Sequence, residues 1–294
     1  MSDATLTHRP LGVWSSLSGL ELSQRYVTAA GVRTRVLEAG DPGLPHLVLL
    51  HGTGGHAEAF ARNLAAFAED FHVVAYDMVG HGWSDAPDEP YTLDVYCAHL
   101  DALLNELGID RCYLSGESLG GWVAAWYSAH GGTRAEKLVL AVPGNVTAKP
   151  ETMVKLRDST RKAVLEASRE NVRARLEWLF APDNKQLVTE ELVDVRLAIY
   201  SRPDAARTVE HVVALQDPEI RSRYTWTEAW CGQISVPTLV LWTEHDPTGP
   251  VEEGELLRSW IPDSQLEVMS GAGHWPQWER PDEFERLHRA FLLR

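Results

Sequence analysis

The 294-residue chain has 27 Lys plus Arg against 42 Asp plus Glu, a net charge of −15, with 44% hydrophobic and 23% charged residues. That is the composition of a soluble globular protein long enough for a sizeable core. Without a Lys/Arg-rich run, neither nucleic acid nor an anionic membrane is expected as a partner. Cys97, Cys112 and Cys231 are odd in number and far apart, so they suggest neither a disulfide framework nor a metal spacing. No apolar run approaches the roughly 18 residues of a membrane span. The opening Met1-Ser2-Asp3-Ala4 does not read as a signal peptide, and the expected location is cytoplasmic.

In chain order, the first twenty residues show no clear period and read as an arm over the body. Residues 25–29 and 32–37 alternate about Gly31, which predicts a two-stranded antiparallel entry to a sheet. The pattern then changes to short continuous apolar runs at 47–50, 73–76, 112–114, 138–142 and 239–242. Strands buried on both faces look like this, and parallel sheets covered by helices are their usual source. Between the runs, Leu93, Tyr96, Leu100, Leu103 and Leu107 keep helical spacing, with Thr92 as cap and Gly108 as stop. Such alternation predicts a doubly wound α/β sheet.

Residues 145–230 break the rhythm and contain no strand candidate. Helices are expected over 151–167, 171–180 and 189–200, with Pro182 and Pro203 marking ends. This gives an α/β core of 1–144 and 231–294 with a helical lid, 145–230, over the strand C-terminal edge where open sheets bind ligands. Residues 264–269 read as a last strand and 282–293 as a closing helix.

The motif of most chemical interest is Gly116-Glu117-Ser118-Leu119-Gly120, at the junction of an apolar strand and a helix. Glycines two residues either side of a serine suit a sharp turn where backbone passes too close for a Cβ. The turn exposes the hydroxyl beside a helix N-terminus, where negative charge is favoured. A nucleophilic Ser118 needs a base and an orienting carboxylate. His274, in the Gly-rich loop after the last strand, is the best-placed base. Asp246 follows strand 238–242 and is the candidate acid, with Glu244 as a rival that spacing does not exclude. The order Ser, Asp, His, each at the end of a different strand, is that of an α/β-hydrolase. The loop His51-Gly52-Thr53-Gly54-Gly55-His56 can aim the N–H of Thr53 alongside that of Leu119 as an oxyanion hole. His51 and His56 have no carboxylate or cysteine at ligand spacing, so no metal is expected.

From about residue 25 the chain resembles the α/β-hydrolase superfamily. Its tail, Gly273-His274-Trp275-Pro276-Gln277-Trp278-Glu279 followed by Asp282-Glu283-Phe284, resembles the signature of the meta-cleavage product hydrolases. Trp242 and Asp246 with Pro250 fit that family's acid loop, 28 residues before His274. The resemblance implies a mostly parallel eight-stranded sheet with helices on both faces and a helical lid. It also implies carbon–carbon bond cleavage in 2-hydroxy-6-oxohexa-2,4-dienoates, small-molecule ring-fission products of catechols, with no cofactor and a homo-oligomeric state. A lid arginine, here Arg196, would bind the substrate carboxylate, and Trp275 and Gly54 would line the pocket. Position 117 would help bind the polar end of the substrate. The commonest family residue there is Asn, and this chain has Glu117. The usual Gly-Pro of the oxyanion loop is likewise replaced, by Thr53-Gly54-Gly55-His56. A carboxylesterase or lactonase with the same triad is the alternative, since ester and ketone chemistry coincide up to the acyl-enzyme. A non-catalytic receptor on this scaffold would not need the three triad residues together, and fluorophosphonate labelling of Ser118 separates that reading.

Overall fold

A computed structural model describes residues 12–294. The arm expected over the first twenty residues lies largely outside that range; its described part forms a short helix, α1 (Val13–Leu17). The eight strands are β1 (Leu22–Ala29), β2 (Val32–Ala39), β3 (His46–Leu50), β4 (His72–Tyr76), β5 (Cys112–Glu117), β6 (Ala135–Ala141), β7 (Thr238–Thr243) and β8 (Ser264–Met269). They form one sheet in the order β1-β2-β4-β3-β5-β6-β7-β8. The β1–β2 and β2–β4 pairs are antiparallel and the rest parallel.

The helices of the two faces are α2 (Ala61–Phe67), α3 (Leu93–Leu107), α4 (Leu119–Ala129), and later α11 (Val251–Trp260) and α13 (Pro281–Leu292). Between β6 and β7 the chain runs through α5 (Pro150–Leu165), α6 (Arg169–Leu179), α7 (Glu190–Tyr200), α8 (Ala205–Val212), α9 (Pro218–Arg221) and α10 (Glu228–Cys231). A last short helix, α12 (Pro276–Glu279), precedes α13. The Thr92 hydroxyl accepts from the Val95 N–H, and Gly108 ends α3 at φ +68°, as the sequence pattern predicts.

Successive residues of a strand face opposite sides, so each central strand feeds two cores. Val48 and Leu50 join α3, α4 and α11 through Leu100, Val123 and Leu257. Leu47 and Leu49 join α2 and α13 through Phe67 and Phe284. All four β3 side chains are fully buried. At roughly 1.5–3 kcal/mol for each such side chain, β3 is fixed at the centre of the sheet. The parallel strands β3, β5, β6, β7 and β8 all end at one edge, and their C-terminal loops bring Thr53, Ser118, Asp246 and His274 together. Among the described residues no helix is long and apolar enough to cross a membrane.

Candidate active site

Ser118 sits at φ +54° and ψ −116°, a conformation that costs a non-glycine residue of order 1–3 kcal/mol. The neighbouring glycines make it possible. A Cβ at Gly116 would lie 2.1 Å from the Gly120 backbone, and one at Gly120 would lie 2.1 Å from the Leu50 carbonyl oxygen. The turn is tied down by Ser118 N–H donating to Ala141 O at 3.0 Å and by Gly144 N–H donating to Ser118 O at 2.9 Å.

His274 Nε2 lies 2.8 Å from Ser118 Oγ, and His274 Nδ1 lies 2.9 and 3.0 Å from the two Asp246 carboxylate oxygens. The rival acid, Glu244, accepts instead from the Gly271 N–H at 3.1 Å and does not meet the imidazole. Thr248, which the sequence did not single out, donates both its N–H (2.7 Å) and its hydroxyl (2.8 Å) to Asp246 Oδ1. Burial draws the imidazole pKa down, but Asp246 and, to a smaller extent, Glu117 together outweigh it, so His274 titrates above its ordinary value. With Nδ1–H held by Asp246, Nε2 is free to accept the serine proton, which is the geometry of an activated hydroxyl.

The loop after β3 is a tight turn closed by Gly55 N–H donating to Gly52 O at 2.9 Å, with Gly54 at φ +68°. His51 anchors it. Its Nε2 accepts from the Met78 N–H, so its Nδ1 carries the proton and donates to Gly52 O at 2.9 Å. Burial lowers the pKa of His51 well below the ordinary value. His56 is engaged by Glu58 at 2.8 Å. Leu119 opens α4, so its N–H has no acceptor within the helix. Thr53 and Leu119 share one cavity wall with Ser118.

Two cavities meet at Ser118. One, of about 310 Å³, is lined by Glu117, Arg175, Arg196, His274 and Trp275. The other, of about 340 Å³, is lined by Leu119, Trp122, Met153, Leu156, Gln216 and Thr248. Arg196 is only 3% exposed. Its Nη1 donates to Gly54 O and, at 3.1 Å, to Tyr200 OH, and its guanidinium carbon lies 5.2 Å from the centre of the Trp275 ring. Its Nε and Nη2 are buried without partners. Gly54 itself faces away from Ser118 toward an adjoining cavity, and it touches the site through its carbonyl, which holds Arg196 and Tyr200.

Arg175 was missed in the sequence. It donates to Ser159 Oγ at 2.7 Å and to Thr53 O at 3.4 Å, and it lines the same cavity. A signal was present: Val172, Arg175, Leu176 and Leu179 share the buried stripe of α6, and an arginine on an apolar stripe needs a reason. Glu117 is also buried there, with Oε1 3.5 Å from His274 Nε2. Burial raises its pKa to about 7. The tryptophans near the elbow and the lid mostly serve packing. Trp126, Trp226 and Trp230 contact one another, Trp178 covers Lys155, and only Trp122 reaches the second cavity.

The tail motif has a structural basis. The Glu279 carboxylate accepts from Gly273 N–H at 3.0 Å, Trp275 N–H at 3.2 Å, Ala181 N–H at 2.9 Å and Asn184 Nδ2 at 2.8 Å. It thereby holds both sides of His274 and ties that loop to the segment after α6.

An eight-stranded sheet whose loops assemble a serine, a histidine and an aspartate defines a class, and the comparisons agree with it. The family described as the alpha/beta hydrolase fold matches residues 45–281, so the chain belongs to the α/β-hydrolase fold family. Within that family it falls with the meta-cleavage product hydrolases. It is 31% identical over 277 residues to a 2-hydroxy-6-oxononadienedioate/2-hydroxy-6-oxononatrienedioate hydrolase of Klebsiella pneumoniae subsp. pneumoniae, covering 90% of this chain and 92% of that one. It is 32% identical over 263 residues to a 2-hydroxy-6-oxo-6-phenylhexa-2,4-dienoate hydrolase of Burkholderia cepacia, covering 84% and 87%. The crystal structure of a mutant of the meta-cleavage product hydrolase CumD superimposes with a TM-score of 0.79 at 27% identity, covering 92% of this chain and 97% of that one.

Proposed function

We propose that this protein hydrolyses the C5–C6 bond of a 2-hydroxy-6-oxohexa-2,4-dienoate, with Ser118 as nucleophile, His274 as base and Asp246 as its orienting acid. The observation that carries the reading is the pair of cavities meeting at Ser118. One offers buried, unpartnered guanidinium donors and the other a mostly apolar wall. A dienoate has matching halves, a carboxylate with an adjacent oxygen and an acyl group, and the scissile carbonyl lies between them. Planar guanidinium groups suit the carboxylate and its neighbouring oxygen. The α5–α9 segment serves as the lid over both.

In this reading the bound dienolate takes a proton from solvent water at C5, releasing hydroxide, and becomes the keto form. Ser118 Oγ then attacks the C6 carbonyl carbon while His274 Nε2 accepts the hydroxyl proton. The N–H groups of Thr53 and Leu119 stabilise the oxyanion. The C5–C6 bond breaks, its electron pair leaves with the 2-hydroxypenta-2,4-dienoate fragment, and the imidazolium returns a proton. A water deprotonated by His274 cleaves the acyl-enzyme, and no cofactor is required. Three free cysteines, two of them buried, suit a reducing cytoplasm.

A panel of 2-hydroxy-6-oxo-dienoates with methyl, phenyl and carboxyalkyl acyl groups, followed at the dienolate absorbance, tests the proposal. Loss of absorbance that disappears in Ser118→Ala is expected. Protein that turns over simple esters yet leaves every dienoate unchanged would instead make it a carboxylesterase or lactonase. That second reading is favoured by Glu117, since an ionised carboxylate in the polar cavity would repel an anionic substrate.

A further inference from the structure

We propose that Glu117 is a proton-linked carboxylate receptor: its protonated carboxyl donates a hydrogen bond to the carboxylate of the ligand in the polar cavity, and carboxylate binding draws a proton onto it. The inference deepens the proposed function and rests on its placement of a carboxylate beside Arg196. The geometry is that of a built donor. Glu117 is 1% exposed, and its Oε1 has no hydrogen-bond partner while lining the cavity with Arg175, Arg196 and Ser118. The other oxygen is seated against Gly52, where a Cβ would lie 2.6 Å from Oε2. The loop after β3 therefore packs against this side chain, and Oε1, 3.5 Å from His274 Nε2, borders the cavity.

The groups facing it act in opposite senses. His274 from the loop after β8, the backbone hydrogen bond of Gly52 from the loop after β3 and Arg196 from α7 favour its charged form, and Asp246 from the loop after β7 opposes it. Arg175 from α6 lies within electrostatic reach as well. Burial dominates and brings the carboxyl to about 7. A ligand carboxylate entering the cavity adds a second negative charge, which raises that value further. Since only the protonated form both donates and avoids repulsion, the apparent affinity falls with the protonated fraction as pH rises. The bound state must then gain a proton from solvent, and the ligand stays anionic throughout.

Calorimetric titration of the whole protein with 2-oxopentanoate, repeated at pH 8 in buffers of different ionisation enthalpy, counts that proton. His274 also titrates nearby, so the comparison is with Glu117→Gln, which keeps a donor but has no proton to gain. The parent should take up about one proton more than E117Q, and its Kd should weaken at least tenfold more than that of E117Q between pH 6 and pH 9. Equal uptake in the two proteins would assign the proton to His274 and overturn the inference. So would failure of 2-oxopentanoate to bind at any pH. Should E117Q not fold, infrared difference spectra of the parent decide. A protonated-carboxyl band that grows on adding 2-oxopentanoate supports the inference, and its absence refutes it. Because nothing is turned over, the result stands apart from whether the dienoate panel succeeds.

Discussion

Replacing Arg196 with methionine should make the protein more stable and less active at once. In the ligand-free site the guanidinium makes hydrogen bonds only through Nη1, to Gly54 O and Tyr200 OH, while Nε and Nη2 are buried and unpaired. Methionine fills similar volume and removes both unpaired donors, each costing about 1–3 kcal/mol. The two lost bonds have a charged donor and are worth about 1.5–3 kcal/mol each. Removing the buried charge also recovers its desolvation, and such replacements by apolar residues are favourable by up to about 1–4 kcal/mol. Gly54 O is not orphaned, since Tyr200 OH still donates to it at 3.0 Å. The net gain is about 1–3 kcal/mol, or a rise of roughly 2–10 °C in Tm. With substrate the balance reverses. Two charge-assisted bonds to a carboxylate, worth about 2–4 kcal/mol together after desolvation, correspond to a loss of roughly 30- to 1,000-fold in kcat/KM for dienoates. Assays at pH 6 keep Glu117 mostly protonated, and 4-nitrophenyl acetate, which lacks a carboxylate, serves as the control and should change less than about threefold. A variant that turns over dienoates within threefold of the parent, or that melts lower, refutes the reasoning.

Asp246→Asn should lower kcat by about 10⁴-fold, because an amide can present its NH₂ to Nδ1 and favour the wrong imidazole tautomer; stopped-flow turnover of any accepted substrate checks it. Glu117→Gln should change the pH dependence of stability. The carboxyl titrates at about 7 in the folded protein against an ordinary 4.5. The folded state therefore binds more protons, and its stability, full below 4.5, falls as pH rises through 7. The loss is about 3 kcal/mol, so urea midpoints of E117Q should exceed those of the parent at pH 8 and converge with them near pH 5. Glu279→Ala should leave the backbone N–H groups of Ala181, Gly273 and Trp275 without their acceptor. A loss of about 3–6 kcal/mol in urea unfolding is expected, with a drop in activity as His274 loosens; unchanged midpoints would show that water replaces the carboxylate.

The central strands and the helix over 93–107 were legible because local signals dictate them: continuous apolar runs, a threonine cap, a glycine stop. That Ser118, Asp246 and His274 come together was legible too, since each lies at a strand end in a recognisable loop. Spacing alone did not separate Asp246 from Glu244, and only the resemblance to the family's acid loop favoured Asp246. Both follow β7, and only the path of the chain decides which carboxylate faces His274. Expected helix ends moved by one or two residues, as when 151–167 became Pro150–Leu165, and α8 was missed because Pro203 was read as an end and not as the approach to a new start. Arg175 and the clamp made by Glu279 act in part through contacts dozens of residues away in the chain, and Thr248 meets Asp246 only because the loop after β7 turns back on itself. No local period carries such information, although an arginine on an apolar stripe gave a hint.

The clamp at Glu279 has a consequence for how such enzymes change over time or by design. One carboxylate fixes the loop of the base and also grips the chain where it leaves α6, through Ala181 and Asn184. The helices that shape the substrate cavities and the tail that carries His274 are therefore inherited as a single piece. Exchanging 150–200 for the matching stretch of a relative to broaden acyl specificity will also shift the base, unless 271–279 is exchanged with it. The interchangeable module in this protein is discontinuous in the chain, and its seam runs through a side chain that never meets the substrate.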